Sequence, residues 1–484
     1  MFRPGHLFDD RAFFYTAIFM PGSYLEGINA VMIKIGKRFK ATIAALALVP
    51  LFAQTGQAQS ILRDAETEAL FDDMSAPLIR AAGLDPKNVK IVMVGDDSIN
   101  AFVAGGQIVY INSGLVTRAD NANEVQGVIA HELGHVAGGH VIRSGEGIKE
   151  ATGISLLSLV LGAAAIAAGA GEAGAGILGV GQQLAVSRFL GFSRTQESSA
   201  DAAGQSYLIE SGITGEGMLS FFKKLQNLEF RLAIPQDNGY ARTHPLTGER
   251  VARLEEKFKA DAAWKKPSDQ SLEARFQRVK AKLKGFSGAP TQTLIEYPET
   301  NRSIPARYAR AYAWHRSAYP DKAISEVNSL LTTAPSDPYF LELKGQILLE
   351  SGKPAEAVPV LRTAVDKTNA QPLIASLLGH ALIATEDQAN LAEAQKVLKA
   401  AVSRDNENPD AWYQLGVVYG ATGDNARAAM ASAERFHLQG QPRLALANAE
   451  VAVRTLPAGS ADWLRAQDVL LVSQAAVGDR KKRK

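Results

Sequence analysis

The chain has 484 residues, which is long enough for two or three domains with hydrophobic cores of their own. Its net charge of +2 gives no indication of nucleic acid as a partner or of an acidic substrate. The absence of cysteine excludes disulfides, thiolate metal ligands and cysteine nucleophiles, so any metal site must use His, Asp and Glu.

The first sixty residues contain a pattern typical of a secretory signal. Basic residues precede the apolar run 41–52, and Gly56 and Ala58 have the spacing of a signal peptidase site. We predict a signal peptide over residues 32–58, an over-extended start over residues 1–31, and a mature chain outside the cytoplasm. The alternative is a short anchor helix, which the shortness of the apolar run disfavours.

The region 59–258 has mixed helix and strand patterns. Apolar residues recur at helical spacing over 61–83, and the segments 90–96 and 101–115 alternate like strands, with a turn at Gly105-Gly106. Asn123 is a candidate N-cap for the helix that follows. These patterns predict an α+β domain in a mainly α chain.

That helix contains the sequence HELGHVAGGH, residues 131–140. His131 and His135 are four residues apart and share one helix face, so both imidazoles can bind one ion. Glu132 lies beside them and can reach a bound water without being a ligand, which is the arrangement of a zinc peptidase. His140 lies off the ligand face, and we interpret it as structural.

A catalytic zinc site needs a third protein ligand, and the segment SRTQESSADAAG supplies candidates. Glu197 is the candidate ligand. Asp201, four residues later, can accept a hydrogen bond from the far nitrogen of a zinc-binding histidine. Arg194, one turn before Glu197, can stabilise that helix electrostatically.

Two uncharged runs lie between these motifs: 21 residues follow Glu150, and 15 residues precede Arg188. A single membrane crossing would separate parts of one site on opposite sides of a bilayer. We therefore predict an apolar hairpin over 151–187 that packs on the catalytic domain or enters a membrane surface peripherally. A buried core hairpin and a true membrane span remain alternatives.

The C-terminal part contains repeats. A charged helical linker is predicted over 259–303, repeats over 304–470 and a basic tail over 471–484. Small residues recur with a 34-residue period, and the segment WYQLGVVY, residues 412–419, has the W-x2-L-G-x2-Y spacing. The pattern resembles tetratricopeptide repeats, stacked helix pairs that form an α-solenoid and bind other proteins. The alternative is an unrelated helical bundle.

HELGH, the later SRxxExxAD and a following His-Pro pair together resemble the M48 family of zinc metallopeptidases. This resemblance implies a zincin-like domain with one Zn²⁺ per chain, ligated by His131, His135 and Glu197, with Glu132 as the base. It also implies that the strand residues Ala101, Phe102, Val103 and Ala104 pair with extended substrate. His244 is implied as a fourth ligand that would keep the enzyme latent, and His244 and Arg250 are candidate oxyanion donors.

The resemblance to periplasmic members of the family further implies the function. We expect a periplasmic zinc endopeptidase that degrades misfolded or stalled envelope and outer-membrane proteins. The repeats would recruit substrates or the outer-membrane β-barrel assembly machinery. The alternatives are a chaperone or assembly scaffold with a latent protease site and an integral-membrane peptidase of the same family.

Overall fold

The computed structural model describes residues 15–16, 60–167, 170–231, 244 and 247–482. The predicted signal peptide lies outside these residues, and so does the predicted over-extended start, apart from the short strand Tyr15–Thr16. The chain divides into two compact units, one of Leu62–Asn390 and one that contains Met1–Ile61 and Leu391–Lys484. Each unit is described by itself.

The strands are short. They are β1 Tyr15–Thr16, β2 Ser60–Leu62, β3 Lys90–Gly95, β4 Ala101–Ala104 and β5 Ile108–Asn112. In the larger unit β3 pairs in parallel with β5, and β4 pairs antiparallel with β5 as the edge strand of the order β3-β5-β4. Gly105 and Gly106 form the predicted turn with φ values of 62° and 96°, which glycine adopts without strain.

Seven helices and a short 3-10 turn at Ala262–Lys265 are described between residues 65 and 265. The helices are α1 Ala65–Ala81, α2 Ser113–Arg118, α3 Ala122–Ala137, α4 His140–Ala167, α5 Gly171–Glu210, α6 Glu216–Arg231 and α7 Gly248–Ala260. Every residue of α3 from Ala122 to His135 is buried, so this helix forms the centre of the domain. Its N-cap is Asn121 and not the predicted Asn123. The side-chain amide of Asn123 instead donates to the carbonyl of Thr214 and accepts from the backbone N–H of Gly217, at the start of α6.

Twelve helices follow within the described residues, and many of them pack as pairs with a neighbour along the chain inside the same unit. They are α8 Gln270–Ser287, α9 Pro290–Glu296, α10 Ile304–Arg316, α11 Pro320–Thr333, α12 Pro338–Glu350, α13 Pro354–Lys367, α14 Pro372–Ala384, α15 Gln388–Arg404, α16 Pro409–Ala421, α17 Asn425–Leu438, α18 Pro442–Thr455 and α19 Ala461–Lys482. Proline begins many of them, where its missing N–H costs no hydrogen bond.

Small residues allow these pairs to pack closely, as the repeat pattern predicts. A Cβ atom on Gly345 of α12 would lie 2.4 Å from the side chain of Leu361 on α13. Ala311, Ala323 and Ala357 are fully buried at the corresponding contacts. The predicted fold class, a mainly α chain with an α+β domain followed by an α-solenoid of helix-pair repeats, is confirmed.

A buried charged network joins the start of the α+β region to the helices that follow it. Asp64 caps α1, and it pairs with Lys282 of α8, which is only 2% exposed at its side chain. Glu66 also contacts Lys282 and accepts a hydrogen bond from the Tyr308 hydroxyl at 2.8 Å. Burial lowers the pKa of Lys282, but Asp64 and Glu66 outweigh it and hold the pKa well above its usual value.

We expect Lys282→Met to destabilise the larger unit, because it would leave the buried carboxylate of Asp64 without its cation. Breaking such a pair costs about 3 kcal/mol, which corresponds to a melting temperature lower by roughly 6–12 °C. Calorimetry measures the melting temperatures of Lys282→Met and of the control Lys367→Met, which changes an exposed lysine on α13. Equal melting temperatures for the two variants would show that the network contributes little to stability.

Candidate metal centre

The helix α3 brings its two histidines to one point. The Nε2 atoms of His131 and His135 lie 3.1 Å apart, and both side chains are buried. His131 also packs edge-on against the ring of Phe222 from α6. Both imidazoles therefore present one nitrogen to the same small volume, as the i, i+4 spacing predicts.

Two further groups complete the cluster. The carboxylate of Glu197 on α5 lies 3.4 Å from the Nε2 atoms of both His131 and His135. The Nδ1 atom of His244 lies 3.3 Å from His131 Nε2 and 3.0 Å from Glu197 Oε1. All four residues are buried, and their candidate ligand atoms lie within 4.8 Å of one another.

These distances fit a tetrahedral ion. Ligand atoms placed about 2.0–2.1 Å from a central zinc are separated by about 3.3–3.4 Å along the edges of the tetrahedron. Five of the six separations among the ligand atoms of His131, His135, Glu197 and His244 run from 3.0 to 3.4 Å, and all of these atoms lie within 4.8 Å of one another. The residues present therefore fit the metal ion that the motif implies, in a set of nitrogen and oxygen donors that suits zinc.

Glu132 lies beside the cluster without belonging to it. Its side chain is fully buried, and among the described residues neither carboxylate oxygen has a hydrogen-bond partner. The Nε2 atom of His244 lies 3.5 Å from Glu132 Oε1. A buried carboxylate in this state is costly unless a further group, such as a water or a substrate, occupies the space it faces.

A second layer of charged groups holds the ligands. Asp201 Oδ1 lies 3.0 Å from the Nδ1 atom of His131, one turn of α5 after Glu197. Arg250 of α7 donates from Nε and Nη2 to Asp201 at 2.6 and 2.8 Å, and its Nη2 lies 3.1 Å from Glu197. Burial raises the pKa of the Asp201 carboxyl, but Arg250 and His131 outweigh it and lower the pKa.

The electrostatics of the cluster call for a cation. Burial lowers the pKa of His131, yet its hydrogen bonds with Asp201 and Glu197 raise it to about 10. Burial also raises the pKa of Glu197, but its contacts with the three histidines outweigh this and lower it. Without an ion, a proton on His131 supplies the positive charge that the buried carboxylates require, and a divalent metal would replace it.

His140 contributes a contact that its sequence position did not indicate. Its Nδ1 atom lies 2.9 Å from the Nδ1 atom of His135, and its ring packs against Gly138, where a Cβ atom would lie 2.4 Å from His140 Nε2. The Gly138-Gly139 turn between α3 and α4 makes this approach feasible, since Gly139 has a φ of 62°. His140 can thus accept the proton of His135 Nδ1 and orient that ring.

The structure gives Arg194 contacts other than the predicted one. Arg194 is exposed and donates to the carbonyl of Leu190, and the cation that contacts Glu197 is Arg250. The predicted substrate strand is the edge strand β4, where Phe102 stacks on Tyr110 with ring centroids 5.1 Å apart. Its outer edge has no strand partner among the described residues.

Comparison with known proteins places this geometry in a family. Residues 34–257 match the model of peptidase family M48. The chain is 27% identical over 301 residues to the beta-barrel assembly-enhancing protease of Yersinia pestis, covering 60% of each chain. It is 34% identical over 185 residues to metalloprotease LoiP of Escherichia coli strain K12, covering 36% of this chain and 64% of LoiP.

The repeats have a counterpart among solved structures, the tetratricopeptide protein YrrB "with an unusual peptide-binding site". The identity is 20% and the TM-score 0.30, over 37% of this chain and 94% of YrrB. The chain spans about 60% of the length of the first curated relative. The region 34–257 is thus similar to peptidase family M48, and the metal ion that this family implies has a fitting set of ligands.

We expect His140→Ala to weaken zinc binding about 10- to 100-fold, the usual effect of removing the partner that orients a metal-binding histidine. Competition with a chromogenic chelator measures the affinity. His437→Ala, which changes a histidine on α17, is the matched control and should leave the affinity unchanged. An unaltered affinity in His140→Ala would mean that the contact with His135 does not orient the ligand.

Proposed function

We propose that this chain is a zinc-dependent endopeptidase in which His131, His135 and Glu197 hold the ion and Glu132 is the general base. The observation that carries the proposal is the buried carboxylate of Glu132, which faces a tetrahedral set of ligand atoms without a hydrogen-bond partner of its own among the described residues. Such a carboxylate is positioned to exchange protons with a water molecule or a leaving group.

The chemistry follows from these positions. A bound zinc ion would supply a Lewis acid that polarises a peptide carbonyl and acidifies water. Glu132 would accept a proton from the attacking water and transfer it to the leaving amine as the peptide bond breaks. Asp201 and Arg250 position His131 and Glu197 by the contacts described above, and Arg250 is therefore a positioning residue rather than the oxyanion donor proposed from the sequence.

The edge strand β4 gives the substrate a binding mode. Residues Ala101–Ala104 pair with β5 on one side only, so an extended polypeptide can add as a further strand on the other. Main-chain hydrogen bonds of this kind recognise almost any unfolded segment, with little dependence on its side chains. This supports proteins that have lost or not reached their fold as the substrate class.

The location and partners follow from similarity. The name of the Yersinia pestis relative refers to β-barrel assembly, and the signal peptide predicted over 32–58 agrees with export. We propose a periplasmic protein that degrades misfolded or stalled envelope and outer-membrane proteins. The division proposed from the sequence places the peptidase at 59–258, a linker at 259–303 and the repeats at 304–470, where substrates or the barrel-assembly machinery would bind.

His244 supports a second candidate function, a chaperone or assembly scaffold whose protease site is latent. Its Nδ1 atom takes the fourth position of the tetrahedron, where a catalytic site would hold water. Its Nε2 atom lies 3.5 Å from Glu132 Oε1. A chain in this state would bind clients through its repeats and cut them only after His244 moves away.

The endopeptidase proposal predicts that residues 59–484 cleave an unfolded protein such as casein and that Glu132→Gln does not. The amide keeps the shape of the side chain but cannot accept the proton, so turnover should fall by about 10²- to 10⁴-fold while zinc stays bound. Gel electrophoresis measures cleavage, and atomic absorption measures zinc. Cleavage by Glu132→Gln at the wild-type rate would refute the assignment of the base.

Latency predicts a gain in activity from His244→Ala. The substitution would free the fourth position of the tetrahedron, so casein cleavage should rise severalfold if His244 normally occupies it. Zinc content should stay near one ion per chain, because three ligands remain. A drop in activity together with unchanged zinc would instead assign His244 a direct role in the reaction.

A further inference from the structure

The antiparallel pair of α4 and α5 presents an apolar surface around most of its circumference. Leu156, Leu157, Leu159, Val160 and Leu161 of α4 are each between 50% and 65% exposed. Successive helical residues point about 100° apart, so these side chains face several directions and not one stripe. Among the described residues, the helix His140–Ile166 has the length and composition to cross a membrane. Only 6% of its most apolar 18-residue stretch is buried.

The two helices of the hairpin pack closely from the Ser158–Gly181 contact to the tip, which leaves the apolar side chains there facing outward. Toward the base a groove of about 460 Å³ opens between the helices, lined by residues that include Ser155, Leu159 and Gln182. A Cβ atom on Gly162 would lie 2.6 Å from Leu178, and one on Gly174 would lie 2.6 Å from the carbonyl oxygen of Gly162. A Cβ atom on Gly181 would meet the side chain of Ser158. Close contacts through small residues are typical of helix pairs in lipid, because small residues let the two backbones approach each other closely.

The charges mark one end of this apolar surface. Residues 151–171 and 173–187 contain no Asp, Glu, Lys or Arg. Because Ser158 faces Gly181 in the antiparallel pair, Glu150 and Arg188 lie at about the same level, at the base of the hairpin. The ionisable residue between them, Glu172, lies near the tip.

We propose that the hairpin of residues 151–187 inserts into a lipid bilayer with its tip first and anchors the peptidase domain at the membrane surface. A protein partner would cover one face of the pair, whereas lipid covers all of them, so the distribution of exposed apolar side chains favours lipid. Both ends of the hairpin stay on the same side, which keeps the ligands of α3 and α5 together.

The dimensions agree with this placement. The apolar part of α4, residues 151–167, is about 25 Å long, close to the roughly 30 Å of a hydrocarbon core. The carboxylate of Glu172 at the tip would then come near the far headgroups. Gln182 and Gln183 lie within about 9 Å of Arg188 along α5 and so remain near the entry interface.

The anchor also narrows the substrate class of the proposed peptidase, and this step rests on the proposed function. Glu197 follows Arg188 by nine residues on α5, which corresponds to about 14 Å along the helix. The metal centre would thus lie just above the headgroups. Substrates would be extended segments of proteins already held at the membrane, and not proteins free in solution.

The test is flotation of the full chain, in the Glu132→Gln background, with vesicles of phosphatidylethanolamine and phosphatidylglycerol. We expect the protein to float with the vesicles and the double variant Leu157→Asp, Val160→Asp to float at least about tenfold less, since buried aspartates are costly in lipid. The matched control is Ile295→Asp, Leu471→Asp, at exposed apolar positions of α9 and α19. Equal flotation of the two double variants, or none by the parent, would overturn the proposal.

The depth to which the hairpin enters the bilayer is measured with dyes on single introduced cysteines, since the chain has no cysteine of its own. A solvent-sensitive dye on Ala175→Cys near the tip should shift to the blue with vesicles and be quenched by brominated lipid, whereas one on Ile142→Cys at the base should not. If the dye instead shifts to the blue without vesicles, and the shift grows with protein concentration, a second copy of the chain covers the hairpin and the lipid proposal is wrong. Flotation without casein cleavage by either wild type or His244→Ala would refute the peptidase and leave the anchor standing.

Discussion

The contact between α3 and α5 is the constraint on which the site depends. A Cβ atom on Gly134, inside HELGH, would lie 2.7 Å from the carbonyl oxygen of Ala200. One on Gly204 would lie 2.9 Å from the backbone of Ala130. The two backbones therefore touch at two points that flank His131 on α3, and this fixed separation brings the carboxylate of Glu197 within reach of two imidazoles. A wider spacing would leave a histidine pair on one helix and a carboxylate pair on another.

The charge of the site is balanced in the same narrow space. Glu132, Glu197 and Asp201 are buried together, and Arg250 supplies one positive charge to two of them. The pKa of His131, raised to about 10, shows how strongly the remaining negative charge attracts a proton. A site of this kind is most stable when a cation fills it, which is a physical reason to expect metal binding to contribute to the stability of the surrounding helices.

Much of this could be predicted from the sequence, because helical spacing places His131 with His135 and Glu197 with Asp201 on shared faces. The β4–β5 hairpin and the repeats were predictable for the same reason, from local period and turn residues. Contacts between elements were not. Arg250 of α7 contacts Glu197 and Asp201, whereas Arg194 of α5 donates to the carbonyl of Leu190. The spacing of residues along one helix does not reveal which side chain of another helix will contact it. His140 follows His135 by five residues, and only the tight turn at Gly138-Gly139 carries its ring back to the ligand.

The helices α4 and α5 form the apolar hairpin and also hold groups of the metal centre. The orientation of the hairpin and the orientation of the metal centre are therefore coupled. α4 begins at His140, in contact with a ligand, and α5 continues without interruption from the apolar hairpin to Glu197 and Asp201. A helix of this length transmits orientation along its axis, so whatever surface holds the hairpin also sets the direction in which the cluster and the edge strand β4 face. If that surface is a bilayer, the choice of substrate depends on where a polypeptide is held as well as on whether it is unfolded. An edge strand that accepts almost any extended segment would then be restricted by position, which would give the proposed peptidase a means of sparing other proteins.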